Sequence, residues 1–293
     1  MASKFHNGIH YKLIGNGPIK LCFVSGLMAT MHTWYYQVKY FLESKNFTVL
    51  LLDNRGSGQS CILNTVGSID DMTKDIISLL DHLKIERMHF VGISMGGMIL
   101  LNLLKDNGNY VESTTIINSG FNIKKIMRTT DMIKNGCITY LNLAKNSLYS
   151  YVYGYKTSEN ENTLKTYYND MAFNNTKKYS DKYLKLSENQ TYSDYIFQYS
   201  ALLKYRISDE SLRKIKEKNI PTIIICGFND KVIKPESSMD LKEKINAKLF
   251  LFKKSSHLMN IQSHDKLNIL LKQFIYSTFL HNNIINNKIT LKT

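Results

Sequence analysis

Gly92-Ile93-Ser94-Met95-Gly96 lies between two short apolar runs, Met88-His89-Phe90-Val91 before it and Met98-Ile99-Leu100-Leu101 after it. A Gly-x-Ser-x-Gly that joins a buried strand to a buried helix is a nucleophile elbow. The turn forces its serine into a cramped backbone geometry, so Gly92 and Gly96, two residues to either side, must lack side chains. Ser94 then projects its hydroxyl above the sheet edge, at the amino end of a helix whose free N–H groups favour developing negative charge. A five-residue pattern also occurs as a plain Gly/Ser turn, and the rest of the chain decides between the two readings.

Working outward, the chain alternates. Ile9 to Ile14 and Ile19 to Val24, separated by the turn signal Asn16-Gly17, predict an opening hairpin. Trp34 to Leu42 has helical spacing, and Phe47-Thr48-Val49-Leu50-Leu51-Leu52 is a continuous apolar run of strand length. Met72, Ile76, Leu79, Leu80 and Leu83 recur at three and four residues, which predicts a helix over about 69–83 with Asp70 and Asp71 in its first turn. The elbow strand and helix follow, then a strand at Ser113-Thr114-Thr115-Ile116-Ile117. Strands alternating with helices specify an α/β fold, a mostly parallel central sheet flanked by helices on both faces.

From about Phe121 to Tyr205 the alternation stops. Amphipathic patterns such as Ile138 to Leu148 and Tyr192 to Leu203 replace it, and thirteen of the nineteen tyrosines fall there. Sheet-like runs resume at Thr222 to Cys226 and Lys248 to Phe252, followed by a closing helix from about Asp265 to Phe279. The expected organisation is one core built from residues 1–120 and 206–280, an inserted helical lid at 121–205, and a polar, fraying tail at 281–293.

A serine hydroxyl needs a neighbouring imidazole to take its proton, and the imidazole needs a carboxylate to fix its tautomer. Asp230 follows the strand ending at Cys226, and His257 follows the strand ending at Phe252. The order Ser94, Asp230, His257 is the one an elbow leads us to expect. Of the eight histidines only His257 follows a late strand: His6 and His281 lie in polar ends, His10 in the first strand, His82 and His89 around the entry to the elbow strand, and His264 at the start of the last helix. His32 follows the Ser25-Gly26 turn and reads as packing or lid-facing. Ser25-Gly26-Leu27-Met28 ends the strand at Val24, where a backbone N–H should help hold an oxyanion, so the amides of Leu27 and Met95 are the candidates. Asp53 to Ser60 reads as a tight structural turn pinned by Asp53 and Arg55.

With 43% hydrophobic and 21% charged residues, the 293-residue chain has a globular composition. No apolar run approaches the roughly 20 residues of a membrane span, and the start has no signal-peptide core, so a cytoplasmic protein is expected. The four cysteines have no metal or disulfide spacing and are expected to be reduced. The net charge of +14 is spread along the chain, which argues for a solvated basic surface rather than a nucleic-acid site. Transient contact with a membrane surface stays open.

From about Ile9 to Phe279 the chain resembles the α/β-hydrolase superfamily, and most of all its lidded serine esterases, lipases and enol-lactonases. The resemblance rests on Asp53-x-Arg55-Gly56-x-Gly58-x-Ser60 and Gly92-x-Ser94-Met95-Gly96-Gly97, with Ser25-Gly26, Asp230 and His257 in the proper order. The family commonly has His-Gly at Ser25-Gly26 and Gly-His at Ser256-His257. The resemblance implies acyl transfer from a small ester, with Ser94 as nucleophile, His257 as proton shuttle and Asp230 as its orienter, and it implies no metal or organic cofactor. A lid rich in Tyr and Phe suits an apolar or amphipathic ester, lipid or lysophospholipid esters included. Thioester and lactone hydrolysis use the same groups, and a hydrolase-shaped receptor or scaffold with little turnover is the reading from a different class.

Overall fold

In the computed structural model, which describes residues 4–60, 67–122, 192–230 and 232–290, eight strands form one sheet. They are β1 (Lys4–His6), β2 (Ile9–Gly15), β3 (Ile19–Val24), β4 (Phe47–Leu52), β5 (Met88–Ile93), β6 (Val111–Ile117), β7 (Thr222–Gly227) and β8 (Lys248–Phe252), in the order β1-β2-β4-β3-β5-β6-β7-β8. From β4 to β8 every neighbour is parallel, and β1 and β2 add an antiparallel edge.

The opening hairpin sits one turn earlier than the sequence suggested. It joins β1 to β2 through Asn7-Gly8, both at positive φ, while β2 pairs with β4 and not with β3. The reason is β4 itself: Val49 and Leu51 bury on one face, Leu50 and Leu52 on the other. A strand apolar on both faces belongs inside a sheet, so it inserts between the two strands that a hairpin would have paired.

The same two-sided pattern builds the core. Cys22, Val24 and Ile224 point to one apolar layer, and Leu21, Phe23, Ile223 and Ile225 to the other. The first layer is closed by α2 (Ile69–His82), α3 (Met95–Asn107), α4 (Tyr192–Lys204), α5 (Asp209–Glu217) and α6 (Pro235–Ile245). The second is closed by α1 (Tyr35–Glu43), the short α7 (Met259–Gln262) and α8 (His264–Thr290). Helix α2 starts where Ser68 Oγ accepts the Asp71 N–H at 3.0 Å, a side-chain cap worth about 1 kcal/mol, and it buries Met72, Ile76, Leu79 and Leu80 as their spacing predicts.

Helix α8 does not stop near Phe279. It runs to Thr290, and the Asn282 amide donates to Glu112 Oε2 at 2.6 Å, a tertiary contact that holds an asparagine-rich stretch with weak intrinsic helix preference. Helix α4 matches the pattern at Tyr192 to Leu203. The pattern at Ile138 to Leu148 and most of the expected lid lie outside the described residues, as do Cys61 and Cys137.

Register lines up one rim of the sheet. Val24 pairs with Gly92, Ile93 with Ile117, and Gly227 with Phe252. The segments after β3, β5, β6, β7 and β8 therefore leave the sheet side by side, at the carboxyl ends where open parallel sheets place their sites.

Candidate active site

Ser94 bridges β5 and α3 with φ 56° and ψ −120°, a left-handed backbone for a residue with a side chain. Such a conformation costs about 1 to 3 kcal/mol and persists only where neighbours enforce it. Here the Ser94 N–H donates to the Ile117 carbonyl at 2.9 Å. The Ser94 carbonyl accepts from Gly97 N–H at 3.0 Å and from Ser119 Oγ at 2.7 Å. A Cβ on Gly92 would lie 2.6 Å from the Gly96 carbonyl oxygen, and one on Gly96 would overlap the carbonyl of Val24. Both glycines are needed for close approach, the role their spacing implied.

The turn after β3 abuts the serine. A Cβ on Gly26 would sit 3.2 Å from Ser94 Cβ and 3.7 Å from its Oγ. Ser25, where the family usually has histidine, turns its hydroxyl inward: Oγ donates to the Thr30 carbonyl at 3.1 Å and accepts from Trp34 Nε1 at 3.2 Å. Asn54 Nδ2 donates to the Ser25 carbonyl at 2.9 Å. The turn is thus shaped by a short side chain with buried partners. Neither the Leu27 nor the Met95 amide has a hydrogen-bond partner among the described residues.

The two late loops meet. His257 Nδ1 lies 2.7 Å from Asp230 Oδ2, and both side chains are buried. Asp230 Oδ1 accepts the N–H groups of Val232 at 2.8 Å and Ile233 at 3.0 Å. A carboxylate at that position accepts a hydrogen bond from a proton on Nδ1 and leaves Nε2 as the ring's acceptor nitrogen. Ser256, where the family usually has glycine, is held by Gln262: its Oγ and N–H both donate to Gln262 Oε1 at 2.9 Å.

Ser94 Oγ makes no hydrogen bond to His257 among the described residues. The segments that carry Ser94 and His257 nonetheless hang from one dipeptide after β6. Ser119 holds the Ser94 carbonyl. Asn118, at φ 45°, donates from Nδ2 to the carbonyls of Ser256 at 3.0 Å and His257 at 2.7 Å and accepts the Gly227 N–H at 2.8 Å. Sequence reading missed Asn118, Ser119 and Gln262. Position was the available signal for the first two, since they follow a sheet strand at the rim.

Asp53 and Arg55 both pin their turn, with different partners. Asp53 takes His10 Nδ1 at 2.7 Å and the Met31 N–H at 2.7 Å, and Arg55 Nε donates to Asp75 at 2.6 Å. Burial pushes the Asp75 carboxyl up, with Arg55 opposing. Burial and the Asp230 charge push the Cys226 thiol up to about 11, so it stays protonated below the site. His264 begins α8 and stacks on Tyr36. Among the described residues no group of three or more His, Cys, Asp and Glu is placed to hold a metal, and no helix is long and apolar enough to cross a membrane.

Residues 20–263 match the family model described as alpha/beta hydrolase fold. The chain is 26% identical over 269 residues to 3-oxoadipate enol-lactonase 1 of Acinetobacter baylyi, covering 89% of this chain and 91% of that protein. In structure it is similar to an enol-lactonase from Burkholderia xenovorans LB400, with a TM-score of 0.75 at 21% identity over 94% of this chain and all of the other. It is also similar to a structure from a study of carboxylesterases of the thaumarchaeon Nitrososphaera gargenis, with a TM-score of 0.73 at 18% identity over 96% and 99% of the two chains. With the elbow, the parallel sheet and the family match in agreement, this chain belongs to the alpha/beta-hydrolase fold family.

Proposed function

We propose that this protein is a serine hydrolase that cleaves carboxylic esters through an acyl-enzyme on Ser94. The observation that carries the reading is the pairing of a strained serine at a helix amino end with a buried, carboxylate-oriented histidine on the same sheet rim. His257 Nε2 takes the hydroxyl proton as Ser94 Oγ attacks the carbonyl carbon, and the carbonyl π pair moves onto oxygen. The Leu27 and Met95 N–H groups and the α3 dipole stabilise that oxyanion. Collapse expels the alkoxide, protonated by His257, and water reverses the sequence to release the acid. Asp230 holds the ring and balances its charge throughout.

A cyclic ester is the second reading, favoured by the resemblance to an enol-lactonase over nearly its whole length. In a lactone the leaving alkoxide stays tethered to the acyl group. Thioester cleavage needs no further group. The net charge of +14 and the tyrosine-rich sequence of residues 121–205 support an amphipathic ester, lipid or lysophospholipid included, reached by transient contact with a membrane surface in the cytoplasm.

The test is a fluorophosphonate probe followed by graded esters and lactones. Labelling of the wild type that vanishes in Ser94→Ala is expected. Folded wild type that stays unlabelled would favour a non-hydrolytic receptor or scaffold. Cleavage of short p-nitrophenyl esters with long-chain lipids untouched would remove the lipid assignment, and a kcat/KM for lactones well above that for matched open esters would move the substrate to the cyclic class.

A further inference from the structure

The turn that carries the Leu27 amide is gripped from both sides. On its carbonyl side the loop after β4 reaches in: Asn54 donates to the Ser25 carbonyl at 2.9 Å and Ser57 Oγ to the Ala29 carbonyl at 2.9 Å. On its amide side the grip comes from α4, far along the chain. Met28 stands at φ 57°, and its N–H donates to Gln198 Oε1 at 2.7 Å. The same side chain donates from Nε2 to the Arg55 carbonyl at 2.9 Å. Gln198 is fully buried, and its neighbour Phe197 packs so closely on the loop after β4 that a Cβ on Gly56 would come within 3.1 Å of its ring. One amide therefore joins three segments: α4, the turn after β3 and the loop after β4.

The Met28 N–H belongs to the peptide plane that follows Leu27. Fixing that plane in a left-handed turn limits how far the preceding plane, which carries the Leu27 N–H, can rotate. Resting on the serine-hydrolase reading, we propose that Gln198 is a positioning residue that aims the Leu27 amide at the oxyanion by holding the adjacent peptide. It touches neither substrate nor reacting atoms. Electrostatic stabilisation depends on donors being in place before charge develops, so loosening the turn should weaken tetrahedral species more than ground-state substrate. A side chain that merely stabilised α4 would alter the amount of folded protein and leave that ratio alone.

The experiment uses the full chain and Gln198→Met, which keeps length and burial and removes both hydrogen bonds. Turnover of p-nitrophenyl butyrate is normalised to active sites titrated with fluorophosphonate, and a trifluoromethyl ketone, which forms an anionic tetrahedral adduct on serine, reports oxyanion binding. Expected are a kcat per site about 10- to 100-fold lower, KM within about threefold, and ketone affinity weakened by the factor lost in kcat. Should Gln198→Met fail to fold, Gln198→Asn, one methylene too short to reach Met28, is expected to give the same split. Wild-type kcat and ketone affinity in the folded variant, with Ser94→Ala inactive, would overturn this inference alone. A wild type that neither titrates nor turns over would overturn the hydrolase reading and this inference with it.

Discussion

Two histidines in this molecule meet a carboxylate in the same way. His10 Nδ1 lies 2.7 Å from Asp53 Oδ2, and His257 Nδ1 lies 2.7 Å from Asp230 Oδ2, with all four side chains buried. Each aspartate also takes two backbone N–H groups, from Met31 and Gln59 in one case and from Val232 and Ile233 in the other. The difference lies in the second ring nitrogen and in the place. His10 sits within strand β2, and its Nε2 is buried with no partner among the described residues. His257 sits in a loop at the rim that also carries Ser94. A histidine–aspartate pair is therefore a structural staple by default. It becomes a candidate proton relay where topology sets a nucleophile beside it.

Breaking the rim pair is expected to have the largest effect. Ser94→Ala or His257→Ala should lower kcat by about 10⁴ to 10⁶, and Asp230→Asn somewhat less, with circular dichroism spectra unchanged. Near-normal turnover in either alanine variant would sink the assignment. Breaking the inner pair should show the reverse profile. His10→Ala removes a buried partner of Asp53 and leaves a cavity, so urea unfolding should report a loss of about 2 to 4 kcal/mol, while kcat per folded molecule stays within a few-fold of wild type.

A third histidine sharpens the contrast, because it is buried against a hydroxyl. His89 Nδ1 lies 2.7 Å from Ser113 Oγ, and burial, aided by the Arg87 charge, holds the imidazole down to about 4. Between the ordinary value of 6.5 and that figure, the unfolded chain takes up a proton that the folded chain refuses. The stability this site contributes is complete above pH 6.5 and is lost as pH falls through 4, by about 3 kcal/mol. Unfolding midpoints measured across that window should flatten in His89→Asn, and an unchanged slope would show that other groups carry the acid sensitivity. The smallest effect belongs to the α2 cap: Ser68→Ala should cost about 1 kcal/mol and leave turnover untouched, a result that thermal melts can check.

Much of this is readable in the chain itself. The elbow glycines, the apolar runs of β4 and β5, the α2 spacing and the carboxylate and imidazole after late strands are each written in contiguous residues, where period and sterics act locally. The opening hairpin is not readable locally, because nothing near it in the chain says that β4 inserts between β2 and β3. The closing helix was cut short because the Asn282–Glu112 contact spans 170 positions.

Residue type and order were enough to nominate Ser94, Asp230 and His257, since each is announced by the strand that precedes it. No segment of the chain announces that Ser25 would replace an absent histidine by bonding Thr30 and Trp34, that Asn118 and Ser119 would hold together the segments carrying Ser94 and His257, or that Gln198 would reach the Met28 amide. Those partners lie from a few to 170 residues apart, and side-chain amides and hydroxyls have no period or spacing that betrays a distant acceptor. Their bonds exist because the sheet register brings five chain segments to one edge, a geometry that arises only when the whole core has closed.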